Sequence, residues 1–426
     1  MTGVMTGALR RVQIGNALSA FGSGFTLPYM FVYVDEVRRL GSMTAWLVFT
    51  LFALSALAVL PFTGRAVDRF GPRPVLVGGS VTAAVGALGF GLATTTPLVL
   101  LGSFVFGAGV TTVQPALATM IVRCTTKARR AHAFAVQFTL INLGMGIGAL
   151  IGGQIVDTAR PVTLELLFAI EAAMFLVLAA ITGTVRVPAL RDSADAAAER
   201  SRSDFRTLLQ DKGMVRLSVL AALIFFACYG QFESGVAAYA TGTVGISPSA
   251  LGFGLGVNTF AIVLLQMVVV RITARYRRTT AVIATGAVWL GAWAAAGVAG
   301  LFHGSSGAAV GAMMTTYALF GVGEALLAPT LGPIVADLAP AHLLGTYNAA
   351  FALVKQTAIA IGPAVGVLLV GSGLSPLYLL VMAASTVLIA VLAVRLRAVL
   401  TPLQDNAPET VRPSLVVAER VPVHAA

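Results

Sequence analysis

Charge is what this chain has least of: 11% of its 426 residues are Asp, Glu, Lys or Arg, against roughly a quarter in a soluble domain. So few charges cannot cover a hydrated surface, which excludes a water-soluble globular protein. Cysteine is nearly missing. Cys124 is expected in a cytoplasmic loop and Cys228 inside an apolar segment, so no disulfide is expected. No cluster with metal-ligand spacing, no nucleophile–base arrangement and no phosphate loop is found. Gly144-x-Gly146-x-Gly148 has no strand before it, so it is not a nucleotide loop. Neither an enzyme, a cofactor nor a metal site is expected.

What is present is hydrophobic. Apolar residues make up 58% of the chain and the mean hydropathy is +0.90. A span of lipid takes about 20 residues of helix, and twelve segments qualify: 12–35, 44–64, 74–94, 97–122, 132–156, 162–185, 215–240, 248–270, 279–300, 307–336, 344–371 and 376–396. With no water to satisfy the backbone, an all-α membrane protein follows. The first segment follows Arg10 and Arg11 as a signal peptide would, but its length marks it as a retained span.

The positive charges give the orientation. With a cytoplasmic N-terminus, all but four of the 28 Lys and Arg fall on the inside. Arg38, Arg39 and Arg160 lie outside and Lys355 within a helix, a strong positive-inside bias. The net charge of +11 therefore reflects topology, and no nucleic-acid partner is expected. The expected location is the plasma (inner) membrane, multi-pass, both termini cytoplasmic, the chain acting as a monomer. Residues 1–186 and 214–400 are expected to be two six-helix bundles. A cytoplasmic linker, 187–213, joins them, with a short interfacial helix carrying Phe205, Leu208 and Leu209. Residues 401–426 read as a disordered cytoplasmic tail. Asp35, Glu36, Arg38 and Arg39 are expected to be solvated.

The two halves are related. A shift of 214 positions sets Gly321, Gly323, Pro329, Leu331, Gly362 and Gly366 on Gly107, Gly109, Pro115, Leu117, Gly148 and Gly152 without a gap. A half-length repeat in so apolar a chain marks a transporter. The second copy alone carries charge: Glu324 in the tenth segment and Lys355 in the eleventh. Each lies about 16–18 Å from the inner end of its helix, so the two should meet near the midplane. One charge there costs roughly 2.5–3.5 kcal/mol, which a Glu–Lys contact would offset in part. Either the pair is a static ion pair, or Glu324 takes a proton while Lys355 holds it ionised or holds an anionic substrate. Glu233, in the seventh segment beside Gln231, is a further proton candidate. Glu171, at mid-depth in the sixth segment, is either a proton-site candidate or a structural hydrogen-bonding group directed at the fourth helix.

The loop Gly64-Arg-Ala-Val-Asp68-Arg69-Phe-Gly71-Pro-Arg73 resembles the G-x-x-x-D-R-x-G-R-[RK] loop of the major facilitator superfamily, at the same place between helices two and three, with Pro72 where the family carries a basic residue. Gly64 permits close helix approach, Asp68 can accept from a helix N-terminus or an Arg, and Gly71 allows a tight turn. The resemblance implies that this loop latches the two bundles on the cytoplasmic side. Asn142, Gly144, Gly148, Gly152 and Gly153 resemble the helix-five motif of that superfamily's drug:proton antiporters. The Arg those antiporters keep in helix four is replaced by Ser103 and Phe104. Gln231-x-Glu233 with Gly323-Glu324 and Pro329 is similar to the superfamily's proton-coupled peptide transporters.

The expectation is a secondary active transporter with two bundles around a central cavity, exporting small, partly apolar compounds in exchange for protons. The cavity is expected to be lined by Phe25, Tyr29, Tyr33, Asn142, Tyr229, Gln231, Phe232, Tyr317 and Gln356, with Pro28 bending the first helix. A proton-coupled importer of a peptide or sugar, and a non-transporting receptor on the same fold, remain alternatives.

Overall fold

In lipid, each backbone N–H of an apolar run must find a carbonyl within its own segment, and a helix results. The computed structural model of the protein describes residues 2–186, 205–232, 234–302 and 306–406, and among these no strand occurs. Twelve helices are long and apolar enough to cross a membrane. They are α1 (Gly7–Val37), α2 (Ser42–Phe70), α3 (Pro72–Leu92), α4 (Thr96–Arg123), α5 (Lys127–Ile155) and α6 (Pro161–Gly183). The second six are α7 (Lys212–Phe232), α8 (Ala250–Thr273), α9 (Arg278–Ala299), α10 (Gly307–Leu338), α11 (Ala341–Gly371) and α12 (Ser375–Arg397). Each overlaps one segment read from the sequence. Several run longer because polar, Arg-rich ends remain helical, as from Gly64 to Phe70 in α2.

The helices form two bundles of like plan. In the first, α1 packs on α5 and α6, and α4 on α2 and α3; in the second, α7 packs on α11 and α12, and α10 on α8 and α9. One apolar core runs from Val12 to Val185 and the other from Leu208 to Leu400. Large apolar side chains such as Trp46, Phe62, Leu150 and Leu380 stay exposed on the outside of the bundles, as suits contact with acyl chains.

The repeat explains this likeness residue by residue. A β-carbon on Gly107 would lie 2.8 Å from the Phe52 carbonyl of α2, and one on Gly321 would lie 2.6 Å from the Asn258 carbonyl of α8. Gly109 meets Ala83 of α3, and its counterpart Gly323 meets Trp289 of α9. Gly148 packs on Gly24 of α1, and Gly362 on Gly230 of α7. Equivalent glycines thus make equivalent helix crossings, the close backbone approach that small residues permit in membranes.

Three helices are interrupted. In α1 the α-helix ends at Thr26, a 3-10 turn spans Leu27–Tyr29 across Pro28, and a π turn follows at Tyr33–Val37. Pro28 lacks the N–H and blocks the regular ladder. The α7 region breaks twice, at Cys228 and around Ser234, before a π turn at Tyr239–Val244. Helix α10 breaks between Leu327 and Leu331, around Pro329. Its partner α4 stays continuous through Pro115.

Several surroundings differ from expectation. Glu171 is fully buried, and its carboxylate accepts from the Thr26 hydroxyl of α1, so its partner is not on α4. Arg38, expected in solvent, pairs with Glu165 at 2.8 Å and donates to the Tyr33 hydroxyl. Residues 401–406, expected within a disordered tail, fold against the start of α9. The buried Asp405 accepts from the Thr279 backbone N–H and hydroxyl, both at 2.8 Å, and Asn406 donates to the Ala274 and Tyr276 carbonyls. In the linker, Phe205–Gln210 is a short helix in which Leu208 is buried and Leu209 exposed. Residues 187–204 and 407–426 lie outside the described residues.

Candidate functional site

Where the bundles meet, the Arg-rich end is closed by side chains from both. The Asp68 carboxylate, near the end of α2, accepts from the Gly345 N–H (2.6 Å), the Thr346 N–H (2.8 Å) and the Thr346 hydroxyl (2.6 Å). These donors belong to the first turn of α11, whose N–H groups have no helical acceptor and whose dipole favours a negative charge. Gly64, one turn back along α2, allows the contact: a β-carbon there would lie 2.8 Å from the Thr346 Cα. Gly71 has φ +86°, a value that favours glycine, and turns the chain into α3. Arg73 donates to the Gly183 carbonyl in its own bundle, and Arg69 lies over the Phe70 ring.

A second closure was not foreseen. Asp337, at the basic end of α10, pairs with Arg130 of α5 and, at 2.7 Å, with Arg278 of α9. Arg278 also donates to the Gln404 carbonyl, and the Gln404 amide donates to the Asp337 carbonyl. Asn348 of α11 donates to the Thr119 hydroxyl of α4 at 3.2 Å. The Asp68 and Asn348 hydrogen bonds and the Arg130–Asp337 ion pair join the two bundles at this one end.

Beneath the closure lies a cavity of about 330 Å³. Its walls come from α4, α5, α7, α10 and α11, and so from both bundles. Aromatic rings line it (Phe134, Phe138, Phe225, Tyr229 and Phe351), together with the polar Thr111, Gln114, Gln137, Asn348 and Gln356. Lys355 is the one charged side chain among its described lining residues. Its Nζ stands 5.4 Å from the centre of the Phe225 ring.

Glu324 stands behind this wall, 5% exposed, and accepts from the Asn258 amide at 3.1 Å. Its carboxylate acts electrostatically on Lys355 and on the Tyr229 hydroxyl. The Glu324 carboxylate is thus set back from the cavity, and the Lys355 ammonium stands at its surface. Glu233 lies outside the described residues.

Of the other candidates, Tyr229 and Gln356 line the cavity. Gln231 is fully buried, its amide donating to the Gly362 carbonyl at 2.8 Å across the α7–α11 crossing. Phe232 packs edge-on against the buried Tyr317, ring centres 5.3 Å apart, and neither is among the lining residues. Asn142 donates to the Phe138 carbonyl one turn back. The face of α1 carrying Phe25, Tyr29 and Tyr33, read as a cavity wall, packs inside the first bundle. Phe25 and Tyr29 pack against Gly152, while Tyr33 is fully buried beside Phe90 and Phe168 and donates to the Gly91 carbonyl. A four-residue spacing puts side chains on one face but does not say which neighbour that face meets.

Sequence reasoning missed Gln114, Gln137, Asn348 and Phe351. The repeat held the signal, because the 214-position shift carries Phe134, Gln137, Phe138 and Ile141 onto Asn348, Phe351, Ala352 and Lys355. All of these line the cavity.

The comparisons agree with this geometry. Multidrug resistance protein 2 of Bacillus subtilis (strain 168) is 30% identical over 145 residues, 34% of this chain and 36% of that protein. The quinolone resistance protein NorA of Staphylococcus aureus (strain MRSA252) is 22% identical, over 55% of this chain and 58% of that protein. The chain thus spans little over a third of the first relative and under two thirds of the second. An uncharacterized MFS-type transporter of B. subtilis, YhjO, is 23% identical over 86% of this chain and 87% of its own length. Among solved structures, the E. coli fucose:proton symporter FucP superposes with a TM-score of 0.73 at 15% identity, covering 91% of this chain and 98% of that one. A bacterial homologue of the iron transporter ferroportin gives 0.75 at 15% identity, over 92% and 99%. The Major Facilitator Superfamily model matches residues 12–244 and 234–423, which together span both bundles. With twelve spans, paired bundles and a cavity in the seam between them, the chain belongs to the Major Facilitator Superfamily and is a transporter of that fold.

Proposed function

We propose that the protein exports small, partly apolar compounds in exchange for protons by alternating access. The observation that carries this reading is the seam cavity, walled by both bundles and closed by polar contacts gathered at one end. The basic end is cytoplasmic on the positive-inside rule, so the state described is sealed toward the cytoplasm. The resistance proteins among the relatives favour export.

Glu324 is the proton carrier in this reading, and Lys355 its electrostatic partner. A proton arriving on Glu324 cancels the carboxylate, so Lys355 loses its opposing charge and its hold on that wall changes. Asn258 donates to the carboxylate and keeps it aimed while charged. One proton moving through 100 mV releases about 2.3 kcal/mol, enough for roughly a 50-fold substrate gradient. The test is a panel of small amphipathic compounds in inverted vesicles with an imposed pH gradient. The native chain should accumulate at least one compound. Glu324→Gln should lose gradient-driven accumulation while still binding that compound. Full accumulation in Glu324→Gln removes this residue from coupling, and uptake that rises when the outside is acidified favours import.

A further inference from the structure

Three groups on the cavity wall are poised for a ligand rather than for the protein. Gln137 of α5 is 6% exposed, and among the described residues neither its amide nitrogen nor its amide oxygen has a hydrogen-bond partner. Thr111 of α4 is 4% exposed, and its hydroxyl likewise has no partner among them. Lys355 of α11 brings a cation to the same cavity and makes no hydrogen bond or ion pair among the described residues. Buried polar groups are nearly always satisfied, and each exception calls for an explanation. Here two unsatisfied side chains and a lysine, from three helices of two bundles, line one cavity of about 330 Å³. That volume is at the lower end of drug-sized sites.

The sign of the wall selects among ligands. No carboxylate is among the described lining residues, and Glu324 is set back behind the surface. A cationic compound would meet the lysine with no carboxylate on the described wall to receive it. At a separation of about 6 Å and an effective dielectric near 20, the lysine alone would lower its affinity about 100-fold, and Glu324 behind the wall offsets part of that. An anion gains instead, and an amide and a hydroxyl donor can complete the shell of a carboxylate. The remaining wall, with Phe134, Phe138, Phe225 and Phe351, suits a flat apolar body.

We infer that the cavity takes amphipathic organic anions, an aromatic body bearing one carboxylate, with the carboxylate held by Lys355, Gln137 and Thr111. This rests on the reading of the cavity as the transport site.

The test is equilibrium binding to the purified full-length protein in lipid nanodiscs, without a gradient. Three probes share one body: 2-naphthoate, 2-naphthamide and 2-naphthylmethylammonium. The carboxylate should bind at least 10-fold tighter than the amide, and the ammonium weakest. Lys355→Gln should erase the carboxylate's advantage while leaving the amide's affinity within about threefold, which shows an intact fold. Lys355→Arg should keep the anion preference. Equal or tighter binding of the amide or the ammonium overturns the inference, as does binding of none of the three up to millimolar concentration. If anion binding fails while gradient-driven export in vesicles stands, only the substrate class is lost. If the anion binds but no gradient moves it, the transport reading fails alone.

Discussion

Cys124 lies one residue beyond the basic end of α4 and is 3% exposed. Burial pushes its thiol up to about 11, the neighbouring Arg123 opposing the shift only in part. A raised value means less thiolate at neutral pH, by about 100-fold against an unburied thiol. Maleimide labelling of Cys124 in the folded protein should therefore be slow at pH 7 and rise close to tenfold per pH unit until the pH nears 11. Fast labelling at pH 7, read by mass spectrometry of the Cys228→Ala variant, contradicts that environment. Residues differed in how far sequence alone could place them. Asp68 was legible because its motif implies a helix N-terminus or an Arg as partner, and the start of α11 supplies the first. Lys355 and Glu324 stood out because charge in lipid is costly. Gln137 and Asp337 did not, since an uncharged amide in a helix, or an Asp near a helix end, is ordinary until its neighbours are known. Tyr33 misled because an aromatic in a membrane helix carries no hydropathy signal separating a cavity wall from a bundle core.

At the scale of elements, the twelve helices could be read from length and polarity, because lipid allows a span little choice. Their interruptions were only partly readable. Pro28 announced the break in α1, yet Pro115 leaves α4 continuous while its counterpart Pro329 coincides with a break in α10. A proline removes one hydrogen bond in each case, and the neighbours decide whether the helix opens there. The cap on α9 was hidden for a different reason, since its capping residue comes from beyond α12. Asp405 holds the Thr279 N–H and hydroxyl, an N-cap supplied from another segment. Helix caps of this kind contribute about 0.5–2 kcal/mol. Asp405→Ala should lower the thermal midpoint of the purified protein by a few degrees. Asp405→Asn should cost much less, because Asn caps nearly as well as Asp. Equal losses for the two, or none for Ala, would show that the segment merely rests on the bundle.

At the scale of the whole molecule, the proposed alternating access depends on the balance between a state closed at the basic end and one open there. Two of the cross-bundle contacts carry a charged group and weight that balance most. Asp68 reaches from α2 to the start of α11, and Arg130 reaches from α5 to Asp337. In the proposed cycle both break when that end opens, so they stabilise one state alone and shift the population by their full differential strength. A hydrogen bond to a charged group contributes about 1.5–3 kcal/mol, so each loss should move the equilibrium by roughly 10- to 100-fold. Arg130→Gln spares the pairing of Asp337 with Arg278 and so removes the cross-bundle contact without stranding the carboxylate. A reporter cysteine at Ala118, on the cavity wall, reads the outcome in a background lacking Cys124 and Cys228. With both contacts intact, a membrane-impermeant thiol reagent applied at the basic side should label Ala118→Cys slowly. Asp68→Asn or Arg130→Gln alone should speed labelling from that side, and the pair together should speed it by close to the product of the two, since no residue is shared between them. Labelling that stays slow in the double variant would mean that the apolar packing of Val122, Ala336 and Leu344 at this end keeps the seam shut by itself, leaving the polar contacts to set only the register of the bundles.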